Sequence, residues 1–174
     1  MYTYTAFHRE DLQELIMFLT SETWSFHGQS SLSEEDVRKS AARYTGPGTQ
    51  TFWITEGKEK VGMIRVFELE DPICMFDLRL RSKHRGKGIG AVAVRWMTDY
   101  VFTHYPHIIR IEGHTRYDNL AMRKTLFNSG YVKEAYHRKA WPQGGALFDS
   151  IGYAMIREDW ETGQQTRIED PVLY

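Results

Sequence analysis

The sequence predicts an α/β (α+β) protein with a mixed, mostly antiparallel central sheet flanked by helices. Three observations predict it. Two β-rich runs, "TFWIT" and "KVGMIRVFEL", flank the glycine-containing turn "EGKE", the pattern of an antiparallel hairpin. Apolar residues recur at helical spacing in two separate stretches, Leu12 to Leu19 and Ile89 to Tyr100. Strand-like runs are also more numerous than a repeating βαβ chain would show.

Taken in order, Leu12, Leu15, Ile16 and Leu19 place one apolar face on a helix from Arg9 to about Thr20. A second helix is expected from Ser33 to about Tyr44, with Ser33 as N-cap, Asp36 three residues on and "TGPG" at its end. Between them lies "SETWSFHGQSS", whose Trp24, Phe26 and His27 suit either a core plug or a wall over a ligand. The hairpin follows, and then a third strand, "ICMFDLRL", in which Phe76, Leu78 and Leu80 alternate with Asp77, Arg79 and Arg81. Ile89, Val92, Ala93, Trp96, Met97 and Tyr100 mark a long helix to about Thr103. "HIIRIEGH" reads as a strand and "NLAMRKTLFNSG" as a helix closed by Gly130. "YVKEAYHRKAW" and "FDSIGYAMI" then form strands joined by the turn "PQGG".

The chain has 174 residues, which suits one domain, expected over residues 1–160 with a C-terminal tail over 161–174. Lys plus Arg number 22 against 23 Asp plus Glu, so no global field recruits nucleic acid or an anionic membrane. The single cysteine, Cys74, lies in an apolar strand and reads as a core residue in a reducing compartment. The first residues lack a secretory pattern and no run is apolar enough to cross a membrane, so the expectation is a cytoplasmic protein without a membrane partner. The seven histidines show no metal-ligand spacing, and no metal is assigned.

The functional signal is "HRGKGIG", His84 to Gly90, between a strand and a helix. A helix N-terminus offers unpaired backbone N–H groups and a partial positive charge, and glycines let a phosphate approach them. Gly86, Gly88 and Gly90 stand at this junction with Arg85 and Lys87 beside them, a set that suits a pyrophosphate. A P-loop is excluded because Gly-Lys is not followed by Ser or Thr. A dinucleotide loop formally fits "GKGIGA", with Glu112 as ribose acid, but five polar residues separate it from its strand and three strands precede it. Arg79, Arg81, Lys83, Arg85 and Lys87 could serve a nucleic acid, yet stacking aromatics are not interleaved with them. A solvated basic turn without a ligand is the bland alternative.

This order of elements, with "HRGKGIG" opening one helix and "TRYDNLAMRKTLFNSGY" following the next strand, resembles the GNAT superfamily of acyl-CoA-dependent N-acyltransferases. Arg85, Gly88 and Gly90 match the superfamily's Gln/Arg-x-x-Gly-x-Gly/Ala loop, and Asn119, Gly130 and Tyr131 match its Asn-x-x-(Ala/Ser) helix with a terminal Gly-aromatic pair. "GYAMIREDW" and the hairpin before it look like the subgroup that acetylates N-terminal amines of ribosomal proteins. The resemblance implies a GNAT-like fold and transfer of an acetyl group from acetyl-CoA to a primary amine by direct attack in a ternary complex. It implies that Arg85, Gly86, Lys87, Gly88, Ile89 and Gly90 grip the pyrophosphate. Leu78 and Leu80 would lie on the strand that binds the pantetheine arm, and Asn119 would order that arm, although Asn119 is also a good N-cap. Two positions depart from the pattern: Met122 stands where the subgroup usually has serine, and Leu126 where many members have a tyrosine acid.

Amine acylation needs a base. Glu112 is the first candidate and Glu68, Asp77 and Tyr136 are weaker ones; an ion pair with Arg110 or Arg116 is the alternative role for Glu112. The acceptor is an amine of unread identity, a small molecule or a protein N-terminus, and a homodimer through the final strands is open. The competing functions are an acyl-CoA-binding sensor that has lost turnover and, behind it, a nucleic-acid-binding domain.

Overall fold

The computed structural model describes residues 1–170. Among these residues seven strands form one sheet in the order β1-β2-β3-β4-β5-β7-β6. The strands are β1 (Tyr2–Ala6), β2 (Thr49–Glu56), β3 (Glu59–Phe67), β4 (Ile73–Leu80), β5 (Arg110–Arg116), β6 (Val132–Gln143) and β7 (Ala146–Ile156). Every neighbouring pair is antiparallel except β4 and β5, which are parallel. A parallel pair needs a long crossover, and here α4 (Ile89–His104) supplies it.

Two apolar clusters cover the sheet's two faces. On one, α4 and α5 (Leu120–Asn128) bury Ile89, Ala93, Met97 and Leu126 against Ile54, Ile64, Cys74 and Ile111. On the other, α1 (Leu12–Thr20), α2 (Glu34–Lys39) and α3 (Ala42–Thr45) bury Leu15, Leu19, Val37 and Tyr44 against Trp53 and Met63. Cys74 has no exposure, and burial pushes its thiol pKa up to about 12, in keeping with a core role.

The structure departs from the sequence expectations in four places. The second helix is two short ones, because Ser40 turns its hydroxyl back onto the Asp36 carbonyl and ends α2; its start at the Ser33 and Asp36 capping box is as expected. The buried stripe of α4 runs through Val94 and Val101, while Val92 is 39% exposed. Trp96 and Tyr100 flank that stripe and pack on Phe52, and Tyr4 stacks on Trp96 with centroids 3.8 Å apart. That contact belongs to β1, a strand unassigned in the sequence reading, whose register runs from Tyr2 opposite Glu56 to Ala6 opposite Phe52. Lastly, α6 (Arg157–Thr162) continues from β7 two residues past the expected boundary at 160. Its Arg157 guanidinium donates to the carbonyls of Phe102, Tyr105 and Ile108, holding the end of α4. The last four residues of the expected tail lie outside the described residues.

Candidate active site

The site grows from an irregularity in the sheet. β4 and β5 pair only from Ile73 opposite Arg110 to Met75 opposite Glu112. Beyond that point β4 continues to Leu80 against β3, and β5 continues to Arg116 against β7, so the two strands form a fork with unpaired inner edges. The helical side of its crotch is filled: a side chain at Gly113 would come within 2.9 Å of Leu126 and 3.0 Å of the Phe76 ring.

A cleft of about 490 Å³ lies between the far end of β4, Leu78 to Leu80, the glycine loop and the start of α5. Leu78, Leu80, Arg85, Gly86, Gly88, Ile89, Gly90 and Asn119, all expected from the sequence, line it. Lys87 and Glu112 do not belong to its wall. The amides of Ala91 and Val92 donate to the Gly88 carbonyl, so those before them have no carbonyl within the helix to bond. Gly86 and Gly88 have φ of +76° and +79°, the left-handed region that lets successive amides face one way, and the space where a side chain would stand is open. Arg85 fastens the loop to the strand end by donating from Nε to the Leu80 carbonyl at 2.9 Å. This cradle fits an anionic, phosphate-bearing ligand.

The basic run around the loop is dispersed rather than gathered into a patch. Arg79 pairs with Asp77, Arg81 donates to Ser21 and the Lys60 carbonyl, and Lys83 pairs with Glu59. Such a distribution does not follow a nucleic-acid backbone.

Asn119 caps α5: its Oδ1 accepts from the Met122 amide at 3.2 Å and its Nδ2 donates to Thr115 Oγ1 at 3.0 Å. It also faces the cleft, as does Met122. Leu126 has no exposure and belongs to the apolar core, so the position where a tyrosine acid was looked for carries no ionisable group.

The four base candidates have different surroundings. Glu112 accepts from Arg110 Nε at 2.7 Å through one oxygen and meets His114 Nε2 at 3.1 Å through the other, while Arg110 also reaches Glu134 at 2.5 Å. Partial burial would raise its pKa, but Arg110 and His114 more than offset this and hold it below its usual value. Glu68 is exposed on a turn. Tyr136 donates to Asp149 at 2.5 Å, which raises the phenol's pKa. Asp77 projects from β4 just beyond the fork point, where its Oδ1 lies 3.0 Å from His27 Nε2 and its Oδ2 3.4 Å from Arg79 Nε. Burial alone would raise the Asp77 pKa, but Arg79, His27 and Arg65 hold it well below the usual carboxylate range.

The sequence offered His27 either as part of a core plug or as a wall over a ligand, and Arg79 as a member of the basic stretch, and both line the cleft. The loop that carries His27 is pinned at the three residues just before it. Trp24 is buried, donates to the Leu19 carbonyl at 2.8 Å and packs on the His27 ring edge to face. Across the fork, Gln143 of β6 donates to the Ser25 carbonyl at 2.8 Å, and Arg116 lies over the Phe26 and Phe148 rings. The only local hint was the density of aromatic and imidazole groups in "TWSFH".

A glycine-loop cleft beside a forked parallel pair is the arrangement expected of an acyl-CoA-dependent transferase, and comparison with known proteins places the chain in that class. The acetyltransferase (GNAT) domain profile matches residues 3–132, and the chain belongs to that family. It is thus an acetyl-CoA-dependent N-acetyltransferase. No curated protein matches the chain. Among solved structures, the fold is similar to that of a spermidine N-acetyltransferase from Vibrio cholerae in complex with CoA and spermine. That match has a TM-score of 0.79 and 17% identity, covering 92% of this chain and 98% of the other. A dodecameric structure of spermidine N-acetyltransferase from the same organism gives 0.76 and 16%, covering 94% and 98%. A probable acetyltransferase gives 0.74 and 16%, covering 91% and 94%. Among the described residues no helix is long and apolar enough to cross a membrane, and no group of three metal-ligating side chains is gathered.

Proposed function

We propose that this acetyltransferase acylates a primary amine by direct attack within the fork between β4 and β5. The observation that carries the proposal is one cleft shared by the glycine loop, the free β4 edge from Leu78 to Leu80 and the start of α5 at Asn119. The backbone from Arg85 to Gly90, with Lys87 as a mobile cation at its rim, would hold the coenzyme's pyrophosphate. The free inner edge of β4 at Leu78 to Leu80 would hold the pantetheine arm, and Asn119 would steady it while capping α5. Acetyl-CoA supplies an activated acyl group, and a backbone N–H of β4 aimed at its carbonyl would act as an oxyanion donor, an interaction commonly worth ~3–4 kcal/mol.

The acceptor enters from the face opposite α4, where the Trp24 to Ser31 loop and the β6–β7 hairpin frame the fork. The resemblance to N-terminal amine acetyltransferases and the structural likeness to spermidine enzymes both support an amine acceptor, and the proposal is that class. Glu112 is the base expected from sequence, but both its oxygens are engaged and its pKa is depressed, which makes it a poor proton acceptor. Its assigned part is to order Arg110 and His114 along β5.

Calorimetric titration with acetyl-CoA, dephospho-CoA and NAD tests the proposal, followed by thiol release with a panel of primary amines. CoA-selective micromolar binding and thiol release are the expected results. Binding without turnover on any amine would favour a sensor, and no binding would remove the reading.

A further inference from the structure

Buried polar atoms in folded proteins almost always have a partner, so an orphan inside a cleft calls for an explanation. The cleft described above holds two. His27 Nδ1 and Arg79 Nη1 are both shut off from solvent and unpaired, and both side chains line the cleft. Both also grip the same carboxylate, with His27 on Asp77 Oδ1 and Arg79 on Asp77 Oδ2. The side chain of Arg79 is only 10% exposed, so its free N–H is built into the wall rather than left to water.

From this geometry, and resting on the acetyl-transfer reading above, we propose that His27 is the general base of the reaction, acting through Nδ1, with Asp77 as the residue that orients it. An ionised Asp77 accepts only hydrogen bonds, so His27 Nε2 must carry the proton between them. That leaves Nδ1 of the neutral ring with a lone pair and no donor to accept from, on a side chain that lines the cleft. The arrangement is the nucleophile–base–orienter logic of acyl-transfer enzymes, with the substrate's own nitrogen as nucleophile. Trp24 against the ring and the Gln143 bond to the Ser25 carbonyl keep the imidazole from swinging away.

The proton accounting closes. A neutral amine attacks the thioester carbonyl carbon, and as the C–N bond forms the nitrogen gives a proton to Nδ1. The C–S bond breaks with its electron pair staying on sulfur, and the imidazolium returns the proton to the thiolate, directly or through water. The products are an amide and a free CoA thiol. No separate acid is then required, which accommodates the apolar Leu126. Arg79 Nη1 sits on the other flank of Asp77, where its N–H suits an oxygen of the substrate.

The charges that face this histidine are Asp77 and Arg79 of β4, Arg65 of β3 behind them, and Arg116 of β5 across the Phe26 ring. Arginine stays charged throughout the working range, and Arg79, His27 and Arg65 hold Asp77 ionised.

Two measurements test the assignment, one of them independent of any acceptor. Long-range proton–nitrogen NMR of the histidine rings should show neutral His27 as the Nε2–H tautomer, with an unprotonated Nδ1 that gains a proton as pH falls; Asp77→Asn should erase that preference. A neutral His27 carrying its proton on Nδ1 would overturn the proposal. His27→Gln should keep the acetyl-CoA affinity of the parent by calorimetry. With whichever of spermidine, ethanolamine, glucosamine or phenylalaninamide releases thiol, it should lower kcat on the order of 100-fold and remove the histidine limb of the pH profile. An unchanged kcat and pH profile in His27→Gln would also overturn it. Failure of the unsubstituted protein to bind acetyl-CoA would instead sink the acetyl-transfer reading on which this rests.

Discussion

The two wings of the sheet, β1–β4 and β5–β7, are built differently. The first is packed on both faces, by α4 on one side and α1 to α3 on the other, so Phe52, Trp53 and Ile54 are buried in succession. The second is packed on one face only. Along β5, Ile111 and Thr115 turn to the core while Arg110, Glu112, His114 and Arg116 line the other side, where they pair with one another and with Glu134 and Asp118. The wings part at Met75 and Glu112, where a doubly covered sheet meets a singly covered one. What the contrast teaches is where a substrate can go. The first wing supplies a rigid wall and buried polar orphans, while the second supplies an open face.

The contrast is broken most completely by Gly88→Glu. It puts a negative side chain into the loop at a φ of +79°, and is expected to abolish acetyl-CoA binding in calorimetry while the thermal unfolding transition persists. Trp24→Ala attacks the doubly packed wing. Trp24 is 1% exposed and packs on Phe18, so about 3–5 kcal/mol of stability should be lost in denaturant unfolding, with acetyl transfer falling as the His27 loop loosens.

Asp77 ties the wing's stability to pH. Its folded pKa lies below the unfolded value of about 3.9, so its stabilising contribution is fully present above that pH and is lost as pH falls through and below it. Asp77→Asn should therefore flatten the acid limb of the melting temperature measured between about pH 2 and 4. Asn119→Ala removes the cap of α5 and should cost about 1 kcal/mol, with a modest rise in KM for acetyl-CoA. Smallest is Glu112→Gln on the open wing, where kcat should stay near that of the parent. A large fall in kcat there, with the pH profile displaced, would return the base to Glu112 and make the open wing the catalytic one.

Much of this was written into local sequence. The three-strand run from Thr49 to Leu80, the glycine loop and the Asn119 cap were legible because each depends on neighbours a few residues away: side-chain alternation, helical spacing, or a cap and its amide. β1 was missed although Tyr2, Tyr4 and Ala6 alternate with Thr3 and Thr5, because no turn signal adjoins it and its partner, β2, begins only at Thr49. The break at Ser40 was missed because side-chain hydrogen bonds to the preceding turn compete with helix continuation without changing the apolar pattern.

By itself, then, the sequence determined the class of fold, the glycine loop that opens α4 and the departures at Met122 and Leu126. Only the tertiary structure decided what became of the carboxylates. Glu112 and Asp77 both sit on strands with an arginine two residues away and look alike in one dimension, yet one is saturated by neighbours two residues away and the other meets a histidine 50 residues distant. The loop bearing that histidine is fastened to the far wing by a hydrogen bond spanning 118 residues. Contacts at such separations depend on how the sheet forks and which helices cover it, and side-chain periodicity carries no information about either.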